Sequence, residues 1–181
     1  MDPSNQSNLP LLTGMFSDRE SAENVYNTLR EKGYNASEIN LIMTEETRKR
    51  YFSGDTERIE TIRRIAVSNH LNLRTHGGAN AIESIMGAIE TGLYLPGPGL
   101  LLAGPVARMA AERDIQFCRE VLILCEIPAG KIHLYESGLK NGFVLLSIKP
   151  KNEEEAEFLI KNWKGNYGRE IYFNHAEFKQ L

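Results

Sequence analysis

The residues with the types and spacing for chemistry are few. Gly77-Gly78 and Pro98-Gly99 are the glycine-rich turns that could wrap phosphate oxygens with backbone N–H groups. A Walker loop also needs a lysine and a hydroxyl for phosphate and magnesium. Neither turn is followed by Gly-Lys-Ser/Thr, and no G-x-G-x-x-G follows a strand, so both read as turns. His70 and His76 stand six apart, whereas two ligands on one helix face need three or four; His133 and His175 are isolated. Cys118 and Cys125 stand seven apart, without the Cys-x-x-Cys spacing of zinc or redox sites, and read as small core hydrophobes. Glu153-Glu154-Glu155 suits the first turn of a helix, where negative charge meets the positive end of the macrodipole. No G-x-S-x-G nucleophile elbow occurs. These residues predict no catalytic group, no cofactor and no metal, and hence no enzyme.

Basic side chains do not point to nucleic acid either. Arg48-Lys49-Arg50 and Arg63-Arg64 lie among Glu45, Glu46, Asp55, Glu57 and Glu60, which reads as a solvated helix face. The net charge of -3 is the wrong sign for a dedicated nucleic-acid binder. With 41% apolar and 25% charged residues, the chain has globular composition; disorder and collagen-like structure are excluded. Two cysteines do not make a disulfide scaffold and fit a reducing compartment. Met1 to Pro10 is polar and lacks a secretory pattern, so residues 1–10 are expected to form a flexible tail of a cytoplasmic protein.

The elements that must position these residues follow from periodicity. Leu11 to Phe16 reads as a strand. Ser17-Asp18-Arg19-Glu20 has capping-box form, and Ala22, Val25, Tyr26 and Leu29 make a helical stripe that ends at Gly33. Ile39 to Met43 is a second strand, parallel to the first, which completes a β-α-β half over residues 11–52. Residues 127–181 repeat the logic after a short helix. Phe143 to Ile148 is a strand, Asn152 and Glu155 form an N-cap pair, and Ala156, Leu159, Ile160 and Trp163 face inward. Gly165 and Gly168 then release the chain into a last strand, Glu170 to Phe173. The predicted fold class is α+β: one ferredoxin-like domain of two β-α-β pairs, with helices on one face of an antiparallel sheet.

Residues 53–126 form a helical, Gly/Pro-rich insertion between the second and third strands. Residues 77–107 alone hold seven of the 15 glycines. Three helices are expected in it: Thr56 to Leu71, with Ile59, Ile62 and Ile65 (or Ala66) inward and Arg58, Arg63 and Arg64 outward; Ala79 to Thr91; and one from Pro105 to about Glu126, with Met109, Ala110, Phe117, Val121 and Leu124 buried. Tyr94 to Gly104 reads as an irregular Pro/Gly turn. Thr91 to Ala107 is 17 residues without a charge, yet Pro96, Pro98 and Pro105 would break a spanning helix.

Several of these segments together look familiar. Phe16-Ser17-Asp18-Arg19-Glu20-Ser21-Ala22, then Gly33 and Ile39-Asn40-Leu41-Ile42, resemble the opening of the general stress protein 17M-like family of small bacterial proteins. Leu95-Pro96-Gly97-Pro98-Gly99 leading to Ala103-Gly104-Pro105 is similar to that family's Pro-Gly segment within an inserted hairpin. Ile127-Pro128 and Tyr135-Glu136-Ser137-Gly138-Leu139-Lys140-Asn141-Gly142-Phe143-Val144-Leu145 resemble its run into the third strand. The resemblance covers most of residues 11–173. It implies a stress-associated bacterial protein and brings no catalytic residues. One departure stands out: Arg108, Glu112, Arg113, Asp114, Arg119 and Glu120 interrupt a stretch that relatives often keep nearly uncharged, which argues against membrane insertion.

One feature asks for a partner. Leu93, Tyr94, Leu95, Leu100, Leu101 and Leu102 cluster around the Pro/Gly bends, and such groups at a loop tip need shelter. Either they pack on the insertion's own helices and the sheet, or they are the interaction residues of a homo-oligomer that self-associates through the insertion or through a sheet edge or face. Two alternatives compete. One is a pocket for an apolar ligand, lined by Met86, Phe117 and Leu100 to Leu102. The other is attachment of the Tyr94 to Leu102 tip to a membrane surface.

Overall fold

The computed structural model describes residues 9–54 and 84–174. The expected helix from Thr56 to Leu71, the start of the one from Ala79, the Gly77-Gly78 turn, His70, His76, His175 and most of the expected tail lie outside them. Leu9, placed within the tail by the sequence, is instead buried in the core.

Strand β1 (Leu12–Phe16) leads into helix α1 (Arg19–Glu31). The cap is Asp18 and not the expected Ser17: the Asp18 carboxylate accepts from the Ser21 N–H at 2.8 Å and from the Ser21 hydroxyl. The predicted stripe of Ala22, Val25, Tyr26 and Leu29 is buried. Gly33 has φ +86, the left-handed conformation the helix end requires. A 3₁₀ turn (Ala36–Glu38) precedes strand β2 (Asn40–Thr44). Helix α2, over residues 45–54, starts at once, with the Thr44 hydroxyl accepting from the Thr47 N–H at 3.1 Å.

The insertion is not all helical. After α3 (Ile85–Glu90) comes a hairpin, β3 (Leu93–Leu95) and β4 (Leu100–Ala103), where an irregular turn was expected. Only Pro96-Gly97-Pro98-Gly99 turns, with Gly99 at φ +64. The long helix expected from Pro105 is two: α4 (Pro105–Glu112) and α5 (Cys118–Leu124). Asp114, at φ +51, takes the left-handed position that ends α4. The predicted stripe accordingly fails at Phe117, which lies in the break and is 68% exposed; Met109 and Leu124 are only half-buried, and Leu122 is buried alongside Val121. A second 3₁₀ turn (Ala129–Lys131) leads into α6 (Ile132–Lys140) and β5 (Val144–Ile148). Asn152 caps α7 (Glu153–Gly165) as predicted, its side-chain oxygen accepting from the Glu155 N–H at 2.8 Å. Strand β6 (Arg169–Tyr172) follows.

All six strands form one antiparallel sheet in the order β3-β4-β2-β5-β1-β6. The first and second strands run parallel, as expected, but with β5 between them. Helices cover both faces, not one. Leu12 and Phe16 of β1, Leu41 and Met43 of β2, and Leu146 of β5 pack with α1, α3, α7 and Phe52 of α2. Met15, Ile42, Leu102 and Leu145 pack on the opposite side with Val106 and Ala110 of α4, Val121 of α5, and Tyr135 and Leu139 of α6. The molecule therefore has three layers around two cores that share the sheet.

Close approaches demand glycine at two sites here. A Cβ at Gly92 would fall on the Leu102 carbonyl oxygen, and one at Gly104 on the Ile39 carbonyl oxygen. Among the described residues, no helix is long and apolar enough to cross a membrane.

Candidate functional site

The six residues expected to meet a partner all belong to the β3–β4 hairpin, and most are inside. Leu100 and Leu102 point into the second core, with Leu95; Leu101 and Ala103 point into the first. Strand β4 lies between β3 and β2 and is covered on both faces, which is why its run is apolar without alternation. Leu102 is wholly buried. The shelter that these leucines need is supplied by their own chain. What remains outward is Tyr94, 48% exposed, with a half-buried Leu93 beside it.

The hairpin is anchored at both ends. The Gly99 carbonyl oxygen accepts from the Glu45 N–H at 2.9 Å, which ties its turn to the start of α2. Beyond β4, the Asn40 side-chain oxygen accepts from the Val106 N–H at 2.7 Å. Gly104, at the cap position of α4, has no side chain for that N–H, so a strand residue 66 positions away supplies the cap. Ser147 pairs with Asn40 on one side and with Thr13 on the other, which sets three small polar groups in a row across β2, β5 and β1. The Thr13 hydroxyl is 2.9 Å from the Ser147 hydroxyl and 3.4 Å from the Cys125 carbonyl oxygen. All three residues are buried.

The two edges of the sheet differ. β6 is guarded: its pairing with β1 shifts register between Thr13 and Met15, and Glu170 has φ +47 within the bulge. Arg169 and Glu170 are charged, and Glu170 lies 3.9 Å from the Lys131 ammonium. The Tyr135 hydroxyl donates to the Glu170 carbonyl oxygen and pins the bulge; burial raises the Tyr135 pKa. Among the described residues, β3 has none of these guards. Leu93-Tyr94-Leu95 is uncharged and pairs in unbroken register with Leu102, Leu101 and Leu100.

Reactive side chains are held in unreactive states. Burial pushes the Cys118 thiol up to about 11 and the Cys125 thiol up to about 12, which disfavours the thiolate of both near neutral pH. His133 is exposed on α6, and among the described residues no three His, Cys, Asp or Glu side chains converge on a possible metal position. Arg48 bonds Glu45 at 2.6 Å, and Lys49 lies 3.7 Å from the same carboxylate; that pairing holds Glu45 below the usual carboxylate range. The basic triplet is thus part of a mixed helix surface.

The expected ligand pocket is not assembled. Met86 and Leu101 lie in the first core, Leu100 and Leu102 in the second, and Phe117 is on the surface. An open groove of about 570 Å³ lies elsewhere, between Ala88 and Gly92 on one side and Ala107, Arg108 and Ala111 of α4 on the other. No signal in the sequence marked it, because alanines at helical spacing read equally as a packed face.

No protein-family model, no curated protein and no solved structure matches the chain.

Proposed function

We propose that this chain is a non-enzymatic, stress-associated bacterial protein of the cytoplasm that self-associates edge to edge through β3. The observation that carries the proposal is the contrast between the sheet's surfaces. Among the described residues, both faces are covered by helices, β6 is blunted by a bulge and two charges, and β3 offers an uncharged edge. An unguarded edge strand is a template for another strand, and two copies of Leu93-Tyr94-Leu95 can meet about a two-fold axis without like charges opposing. The hairpin named from the sequence is therefore kept as the site, with Leu93, Tyr94 and Leu95 in contact with the partner and Leu100, Leu101 and Leu102 as its support.

The β6-β1-β5-β2 order, with α1 and α7 as crossovers on one face, supports a ferredoxin-like core. In that reading β3, β4 and α2 to α5 are the insertion. Membership of the general stress protein 17M-like family, and with it the stress association, rests on the sequence motifs.

Sedimentation velocity over a concentration series tests the assembly. Species heavier than the 20.4 kDa monomer should grow with concentration. Tyr94→Lys, which sets a charge on the edge, should shift the distribution to monomer while leaving the far-ultraviolet dichroism unchanged. A wild-type chain that stays monomeric throughout would overturn the proposal.

A further inference from the structure

We draw no further inference here: the strongest candidate, the groove between α3 and α4 that is edged by Arg108, is a surface of small side chains, and nothing in the structure shows what covers it.

Discussion

Tyr34 shows how much a single side chain can join. It sits in the turn after α1, yet its hydroxyl donates to the Glu155 carboxylate of α7, and the Lys151 ammonium lies 4.5 Å from its ring centre. Burial and Glu155 both raise its pKa. Removing the hydroxyl in Tyr34→Phe should cost about 1.5–3 kcal/mol in urea unfolding, the range for a hydrogen bond to a charged group. Tyr34, Tyr135, Cys118 and Cys125 all have folded pKa values above their unfolded ones. Their contributions are complete below the unfolded values, about 8.5 for Cys and about 10 for Tyr, and fade as pH rises past them. The urea midpoint should therefore be flat between about pH 7 and 8 and fall steadily above about pH 9. The same thiols give a second measurement. At about pH 8, a disulfide reagent should label the native protein much more slowly than free cysteine and label both sites fully in denaturant. Tyr167 marks a different residue-level cost. It is 77% exposed and has φ +57 where α7 ends. Tyr167→Gly should raise stability by about 0.5–1 kcal/mol, read as an upward shift of the melting temperature.

At the scale of elements, what could be read in advance depended on whether one face was wet. α1 and α7 each keep a charged side, so Ala22, Val25, Tyr26 and Leu29, or Ala156, Leu159 and Trp163, stood out at helical spacing. β4 has no wet side. Leu100-Leu101-Leu102-Ala103 has no period, and flanked by Pro and Gly it passed for a turn; those same residues bound a strand buried on both faces. The break between α4 and α5 was equally silent, because Asp114 holds the left-handed position without the glycine that usually announces it. Helix α2 was legible only as the solvated helix face around Arg48-Lys49-Arg50; its start was not marked, since the capping Thr44 hydroxyl belongs to the end of a strand. The proposed interaction residues were legible as a cluster in sequence. Which of them face inward was not, because that depends on β2 lying beside β4, a contact between residues about 60 positions apart. The trans cap of α4 was invisible for the same reason. Asn40→Ala should cost about 1–2 kcal/mol by leaving the Val106 N–H unsatisfied, and Leu102→Ala about 2–5 kcal/mol by opening a cavity in the second core. Chemical denaturation of the two variants measures both.

For the whole molecule, the decisive property is that the central strands serve two cores at once. β1 sends Leu12 and Phe16 one way and Met15 the other; β2 divides Leu41 and Met43 from Ile42. Neither helical layer can leave without exposing the sheet that the other needs, so unfolding should be a single transition. Trp163, the one tryptophan, stands in the first core with its ring edge-on to Phe16 at 5.7 Å between centres. Its emission and the far-ultraviolet dichroism should trace the same urea curve; a separate earlier phase in either would mean that the layers come apart independently. Covering both faces also decides where a partner can sit, which is why the proposed assembly grows sideways from β3. The polar row of Thr13, Ser147 and Asn40 has one more effect at this scale. Apolar side chains fill most positions of β1, β2 and β5, and one substitutes for another at modest cost, so greasy packing alone would tolerate a strand sliding along its neighbours. A slide of one residue would turn Ser147 into the opposite layer and set the Thr13 hydroxyl and the Asn40 amide against hydrocarbon. Three modest hydrogen-bonding groups thus act as an alignment mark, making every misthreaded sheet worse than the true one.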